Sequence, residues 1–224
     1  MPAPGAGHSP IGVKTLIVTS HPEPDSYNHA MAHAAADALR GIGHHVQLLD
    51  LRAENFDPVV CRSHFPSRVN RQRFEVMAEQ DGQAERGDAA DDVLRSQQLL
   101  LSADNLILQF PLWWWSLPAQ LKGWIDRVFA SGFAYGGASL SGKQAMLTVT
   151  AETKSQRFAA AGAEHPLHHI ERGILKFCGF DILPAFVVAD VYLLDDETRR
   201  QRLADLADHV RSNFSPEGPQ SLTC

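Results

Sequence analysis

Residues 106–135, LILQFPLWWWSLPAQLKGWIDRVFASGFAY, contain the pattern that decides the fold. They begin with a short, bounded apolar run over residues 106–110, which predicts a buried β-strand. Pro111 is expected to end that strand, because proline has no N–H group to donate to a sheet. After Pro118 the apolar residues recur at helical spacing, which predicts an amphipathic helix. Those residues are Leu121, Trp124, Ile125, Val128 and Phe129.

Three of the four tryptophans, Trp113, Trp114 and Trp115, are consecutive and lie between this predicted strand and helix. Consecutive side chains cannot all face one core, so at least one indole should lie near solvent or a ligand. Loops that follow parallel strands lie at the carboxyl edge of the sheet, where ligands bind. A planar conjugated ring would stack on such aromatic faces. Tryptophan-rich packing is the ordinary alternative for an aromatic cluster of this kind.

Outward from that stretch, apolar runs alternate with helical patterns. Further strands are predicted over residues 15–19, 45–51, 143–150 and 182–189. Helices are predicted over residues 28–39, 88–102, 166–177 and 198–214. Pro184 assigns the last strand to a sheet edge. The alternation predicts one α/β domain over residues 13–214, a flavodoxin-like doubly wound five-stranded parallel sheet with helices on both faces. Residues 1–12 and 215–224 are predicted to be flexible tails.

Residues 52–87 interrupt this alternation with a polar segment that contains several arginines and no persistent periodicity. A loop of this length in a compact domain is usually functional, part of an interface, or a wrongly assigned element. We therefore expect an excursion with short helical pieces that covers either a ligand or a partner subunit.

Composition excludes several classes of protein. The 224 residues are 44% hydrophobic and 21% charged, values typical of a soluble globular protein. The formal net charge of −6 argues against nucleic-acid binding, which favours a basic face. A cytoplasmic location is expected, because no secretory signal, membrane-spanning stretch or C-x-x-C pair is visible. No metal site is expected, because His165, His168 and His169 lack the acidic partner of a zinc motif.

The loop after the first strand is the candidate phosphate site. It opens the first helix, where free N–H groups and the helix dipole favour an anion, and His21, Ser26 and Asn28 can add donors. Simple capping of the helix by Ser26 or Asn28 is an equally good explanation. The near P-loop at residues 137–144 is rejected, because Gln144 replaces the required Ser or Thr and the segment precedes a strand.

Residues 15–189 resemble the NAD(P)H:quinone oxidoreductase (DT-diaphorase-like) family of flavodoxin-fold flavoproteins. The most specific similarity is QFPLWWWSLPAQLKGWIDRVFASGFAY, and SHPEPDSYNHAM and GILKFCGFDILP support it. The resemblance implies FAD, or FMN, as the cofactor, NAD(P)H as the co-substrate, and a homodimer. It also implies ping-pong hydride transfer to the flavin, followed by two-electron reduction of a quinone or a similar small acceptor.

The same resemblance implies the site residues. The flavin would be held by His21, Ser26, Tyr27, Asn28, Pro111, Leu112, Trp113, Trp114, Trp115, Thr150, Ala151 and Glu152. The substrate pocket would contain Trp114, Phe133, Tyr135 and Phe158. Tyr135 and His165 would be catalytic, with His165 stabilising the reduced flavin or exchanging a proton. A surface position at a helix start is an equally good explanation of His165.

Two positions depart from the family pattern. Much of the family has a glycine-containing loop beside the flavin, where this chain has the bulkier, acidic Ala151, Glu152 and Thr153. Phe158 stands where the family often has tyrosine, and a phenyl ring cannot donate a hydrogen bond to developing negative charge.

Two other functions compete with the enzyme hypothesis. One is a regulatory flavoprotein similar to the ancillary subunits of glutathione-gated potassium-efflux systems, for which residues 52–87 could be a docking surface. The other is a one-electron carrier similar to a small flavodoxin. The extra length and the aromatic pocket of this chain disfavour the carrier.

Overall fold

The computed structural model describes residues 12–136, 140–162 and 165–215, and its centre is a parallel β-sheet. The strands are β1 (Lys14–Thr19), β2 (His45–Asp50), β3 (Asn105–Pro111), β4 (Gln144–Thr150), β5 (Asp181–Ile182) and β6 (Phe186–Val188). Their order is β2-β1-β3-β4-β5, and β6 also pairs with β4. Because β1 lies between β2 and β3, the sheet has the predicted flavodoxin-like order. Apart from residues 12 and 215, the predicted tails lie outside the described residues.

The prediction of one continuous strand over residues 182–189 is wrong, because the structure has two short strands there. β5 pairs with the start of β4 and β6 with its end, and residues 183–185 separate them. Pro184 lies in this gap, and its carbonyl accepts a hydrogen bond from His209 Nε2 at 2.8 Å. A proline cannot donate to the ladder, so the edge strand is interrupted there. Its predicted edge position is confirmed.

The helices cover both faces of the sheet. They are α1 (Tyr27–Gly41), α2 (Val76–Arg86), α3 (Asp91–Ser102), α4 (Ala119–Val128), α5 (Ser155–Ala160), α6 (His168–Ile170) and α7 (Asp196–Phe214). α6 continues as a π-helical segment over Glu171–Lys176, so the predicted helix over residues 166–177 is not a regular α-helix. α5 was not predicted, because Phe158 is its only buried residue and gives no periodicity.

Every residue of β3 is buried, as expected for a central parallel strand. Leu106, Leu108 and Phe110 face the core beneath α3 and α4, whereas Ile107 faces the core beneath α1 and α7. The alternation of side chains along one strand therefore supplies both cores. Among the described residues, the structure contains no helix with the length and apolar character needed to cross a membrane.

The excursion over residues 52–87 contains a 3-10 turn (Arg62–His64) and α2, which confirms the predicted short helical pieces. It folds back across α4 at Gly123, where an added Cβ would lie only 2.1 Å from the Pro58 carbonyl oxygen. Within the excursion, buried Glu79 accepts a hydrogen bond from Arg68 Nε at 2.6 Å. The excursion is thus packed on the domain.

Candidate active site

A cleft opens where the carboxyl ends of β1, β3 and β4 meet the start of α7. Its lining includes ten predicted residues: His21, Ser26, Tyr27, Asn28, Pro111, Leu112, Trp113, Thr150, Ala151 and Glu152. Three segments that are distant in sequence meet here because parallel strands end at the same edge of a sheet. The predicted ligand edge and the largest set of predicted site residues therefore coincide.

The amino end of α1 forms one end of this cleft. Ser26 is the N-cap, and its hydroxyl accepts a hydrogen bond from the His29 N–H at 3.3 Å. Ser26 therefore caps the helix and lines the cleft at the same time. His21 Nδ1 accepts a hydrogen bond from the Glu23 N–H at 3.1 Å, which fixes the loop before the helix. First-turn N–H groups have no acceptor within the helix, so this end favours an anion.

The side chain of Asn28 joins α1 to the two central strand ends. Its Nδ2 donates to Thr150 Oγ1 at 3.0 Å, and its Oδ1 accepts from Gln109 Nε2 at 2.9 Å. Asn28 and Thr150 are both buried. Their side chains are thus engaged with the protein, and Asn28 presents chiefly its backbone N–H to a ligand at the helix terminus.

The three tryptophans form a tight turn after β3. The Trp113 N–H donates to the Ser116 carbonyl at 3.1 Å, and the Ser116 N–H donates back at 2.9 Å. Trp114 and Trp115 have φ values of +50° and +61°, as the central residues of a type I′ turn require. The Trp114 side chain is 100% exposed, which confirms that one indole lies in solvent. Left-handed backbone costs about 1–2 kcal/mol per residue outside glycine, so the protein holds this turn against strain.

A second cleft continues from the first around the tryptophan turn. It shares Leu112, Trp113 and Glu152 with the first cleft and adds Trp114, Trp115, Thr153 and Arg157. Glu152 is exposed and places a carboxylate where the two clefts meet. The two clefts share these residues and together run from the amino end of α1 to an indole-lined end.

Trp115 lies between the clefts and two predicted site residues, Phe158 and His165. Its ring stacks on Phe158, with centroids 5.4 Å apart, and Arg157 Cζ lies 4.7 Å from the indole centroid. Phe158 in turn contacts His165 at 5.6 Å. Burial lowers the pKa of His165, and the nearby His168 lowers it further, so the imidazole is neutral near pH 7. Neither Phe158 nor His165 lines either cleft.

Phe133 and Tyr135 lie elsewhere on the described chain. Phe133 lines a separate cavity formed with the excursion. The Tyr135 ring contacts Phe177, with centroids 5.5 Å apart, and Phe177 is mostly exposed. A single copy of the described chain therefore does not bring these two predicted substrate residues to the cleft.

Arg199 is the main site residue that sequence reasoning missed. It lies in the first turn of α7, lines the cleft, and places its guanidinium 5.5 Å from the Tyr27 ring centroid. The Tyr27 hydroxyl donates to the Arg199 carbonyl at 2.9 Å, and burial raises the pKa of that phenol. Tyr27 and Arg199 are 172 positions apart, and no sequence pattern indicates that they are in contact. The other missed lining residues of the first cleft are Asp25, Val191 and Tyr192.

In the described part of the chain, no group of three or more His, Cys, Asp or Glu side chains is placed to hold a metal ion. The titratable side chains that line the two clefts, such as His21, Glu152 and Arg199, come from different segments of the chain.

Comparison with known proteins gives the family. The model of the flavodoxin-like fold family matches residues 13–213. A ribosyldihydronicotinamide dehydrogenase-like protein from Penicillium crustosum is 36% identical over 87% of this chain and 81% of its own length. NAD(P)H dehydrogenase (quinone) 1 from Rattus norvegicus is 33% identical over 85% of this chain and 73% of its own. This chain belongs to the NAD(P)H:quinone oxidoreductase family.

The structural comparison agrees with that membership. A provisionally named quinone reductase from Klebsiella pneumoniae has a TM-score of 0.85 at 32% identity, over 91% of this chain and 86% of its own. The predicted family resemblance is therefore confirmed, and the quinone reductase fold covers nearly all of the described residues.

Proposed function

We propose that this protein is a flavin-dependent NAD(P)H:quinone oxidoreductase that transfers hydride in a ping-pong reaction to a quinone or similar acceptor. The observation that carries the proposal is the continuous cleft from the α1 terminus to the tryptophan turn. Such a cleft has room along one edge for a phosphorylated tail and a flat ring. The relatives reported above are named as dehydrogenases or quinone reductases, and they give no support to the potassium-efflux alternative.

The donor set fits a flavin, and we propose FAD in preference to FMN. The α1 terminus, Ser26 and His21 would bind phosphate, and Arg199 adds a fixed positive charge farther along the same cleft. That extended set suits a pyrophosphate better than a single phosphate. The bound flavin would supply the hydride chemistry, and the protein would bind and orient it.

The chain's own residues would then shape the reaction surface. Trp113 and Trp114 would provide a flat wall, and one open pocket would hold NAD(P)H and the acceptor in turn. His165 is neutral near pH 7 and could exchange a proton, although Trp115 and Phe158 stand between it and the cleft. Phe158 keeps the shape of the wall without donating a hydrogen bond.

We also propose a cytoplasmic homodimer. Phe177 is 65% exposed beside Tyr135, an aromatic pair that a second copy could cover. Phe133 and Tyr135 would then serve as substrate contacts only if the partner's cleft received them. Sedimentation equilibrium would measure the assembly, and a monomer at micromolar concentration would contradict it.

The test of the activity begins with purified protein. We expect a yellow protein whose extracted cofactor has the mass of FAD and which oxidises NADH or NADPH when a naphthoquinone is added. Trp114→Ala should weaken flavin retention or raise the KM for the quinone. Leu101→Ala removes another exposed apolar side chain, at the end of α3, and should change neither. Colourless protein that remains inactive after added flavin would refute the proposal.

A further inference from the structure

Cys61 lies in a group of side chains that the flavin cleft does not use. Its sulfur is 3.7 Å from His64 Nδ1 and 3.6 Å from His64 Nε2. Ser63 Oγ lies 2.8 Å from the same sulfur. The same imidazole nitrogen, His64 Nε2, is also 3.2 Å from Asp57 Oδ2. A thiol in contact with an imidazole that also contacts a carboxylate supplies the parts of an activated nucleophile.

The carboxylate of this group is held in its charged form. A hydrogen bond from the Val59 N–H, together with the charges of His64 and Arg127, holds the pKa of Asp57 below its usual value. Arg127 of α4 is itself paired with Asp92 of α3, with Nη1 2.6 Å from Oδ2. The residues of α2 that line the adjoining cavity, Gln80 and Gln83 among them, are uncharged. The Asp57 carboxylate is therefore the charged group in direct contact with His64 in the described contacts.

A mostly apolar cavity, whose wall also includes Arg127, adjoins the group. Its volume is about 180 Å³, and its walls include Val60, His64, Phe65, Val93, Leu94 and Phe133. The polar groups in the wall are satisfied by the protein: Gln83 Nε2 donates to the His64 carbonyl at 2.6 Å, and the Ser131 N–H donates to Gln80 at 3.3 Å. An apolar cavity of roughly 150 Å³ is large enough for one benzene ring. Cys61 itself does not line the cavity, but His64 belongs to both the cavity wall and the cysteine group, so a ring in the cavity would contact the imidazole that contacts the sulfur.

We propose that Cys61, His64 and Asp57 form a second site that covalently captures small apolar electrophiles of the quinone class through the Cys61 sulfur. His64 takes the thiol proton, and the thiolate attacks the ring carbon β to one of the two carbonyls. A C–S bond forms while the C=C π pair moves toward the carbonyl oxygen, which takes the proton from His64. Transfer of the hydrogen on the attacked carbon to the second oxygen restores aromaticity. The product is a hydroquinone thioether, and no outside oxidant or reductant is consumed.

The test uses the full-length protein with its bound cofactor, in the absence of NAD(P)H. Benzoquinone is added, and peptide mapping by mass spectrometry follows each cysteine separately. Burial raises the pKa of Cys178 to about 11, so that thiol is an unreactive internal reference. We expect Cys61 to react about tenfold faster than glutathione at pH 7. Reaction no faster than glutathione would overturn the proposal.

Variants separate activation from folding. His64→Ala should slow labelling about tenfold at pH 7 and much less at pH 9, where the thiolate forms without help. Asp57→Asn should slow labelling as well, and Asp57→Glu should restore part of the rate. Circular dichroism would verify the fold of each variant. An unchanged pH profile in His64→Ala would refute the activating role.

A separate pair of variants tests whether the ring of the electrophile occupies the cavity. Ala84 lines the cavity, so Ala84→Leu should slow labelling by benzoquinone while leaving labelling by the smaller iodoacetamide unchanged. Ala84→Ser should change neither rate. Equal slowing of both reagents in Ala84→Leu would contradict a ring seated in the cavity. Capture needs neither flavin turnover nor NAD(P)H, so its failure is distinguishable from failure of the proposed reductase activity.

Discussion

At the scale of single residues, Trp114 shows a conflict between stability and the proposed function. Its backbone is left-handed and its indole is fully exposed, so in the isolated chain the residue has strain and no compensating burial. The sequence indicated that one indole would be exposed, because three in a row cannot share a core. It did not indicate the left-handed backbone, since tryptophan has no preference for that region.

Replacing Trp114 with glycine should therefore stabilise the fold and weaken the proposed ligand wall. We expect Trp114→Gly to raise the free energy of unfolding by about 1 kcal/mol, because glycine adopts positive φ without the Cβ clash. Urea denaturation measures the free energy of unfolding. Retention of flavin on gel filtration measures how much the Trp114 indole contributes to flavin binding. Trp113→Gly is the matched control. It has no positive φ to relieve and should destabilise the protein.

At the scale of elements, the excursion is held by two devices that its irregular sequence did not predict. One is its close crossing of α4 at Gly123, and the other is the buried Glu79 with its hydrogen bonds. Neither has a periodic signature, because each depends on a contact between segments and not on a repeat within one segment. The helical pieces of the excursion were predictable, whereas the surface that it covers was not.

Gly123→Ala should destabilise the protein by about 1–3 kcal/mol, a typical cost of overpacking. The added methyl group would meet Pro58 backbone at 2.1 Å, so the excursion or α4 would have to move. Gly41→Ala, at the last residue of α1, is the control. Nothing lies within 4 Å of its added Cβ, and it should be neutral or slightly stabilising. Equal urea midpoints for the two variants would contradict the close crossing.

The ion pair inside the excursion predicts acid sensitivity. Burial alone would raise the pKa of Glu79, but hydrogen bonds from Arg68, Val69 and Asn70 hold it below its usual value. A carboxyl whose folded pKa is depressed stabilises the fold above its unfolded pKa, about 4.3, and this contribution is lost as pH falls through the folded value. Stability should therefore fall more steeply below about pH 4.3 in the wild type than in Glu79→Gln.

The measurement is urea unfolding at a series of pH values. Glu75→Gln, an exposed change next to the start of the same helix, is the control and should retain the wild-type acid slope. An identical slope in Glu79→Gln would show that Glu79 does not contribute to the acid sensitivity.

At the scale of the whole molecule, residues from both ends of the chain line the same cleft: the loop before α1 and Arg199 of α7. α7 packs against α1, and Arg199 reaches the cleft beside Tyr27. Its guanidinium is fixed by hydrogen bonds from Nε to the Leu194 carbonyl at 3.1 Å and from Nη2 to the Val191 carbonyl at 3.0 Å. Because a guanidinium has five N–H donors, others remain for a ligand.

We expect Arg199→Gln to lower the affinity for FAD about tenfold, the size of one charge-assisted contact, and to change the affinity for FMN much less. Reconstitution of the flavin-free protein with each flavin, followed by fluorescence titration, measures both affinities. Arg200→Gln removes a neighbouring exposed charge and is the control. An equal loss for both flavins would contradict a role for Arg199 specific to the pyrophosphate.

The sequence by itself determined the α/β class, the alternation of most strands and helices, and the edge at which most of the predicted cofactor residues meet. These follow from local periodicity and from the rule that parallel strands end together. Only the tertiary structure decided the position of Arg199, the removal of Phe133 and Tyr135 from the cleft, and the contact of Cys61 with His64 beside the cavity. These arrangements depend on how separate segments pack against one another, and local sequence patterns do not encode such contacts.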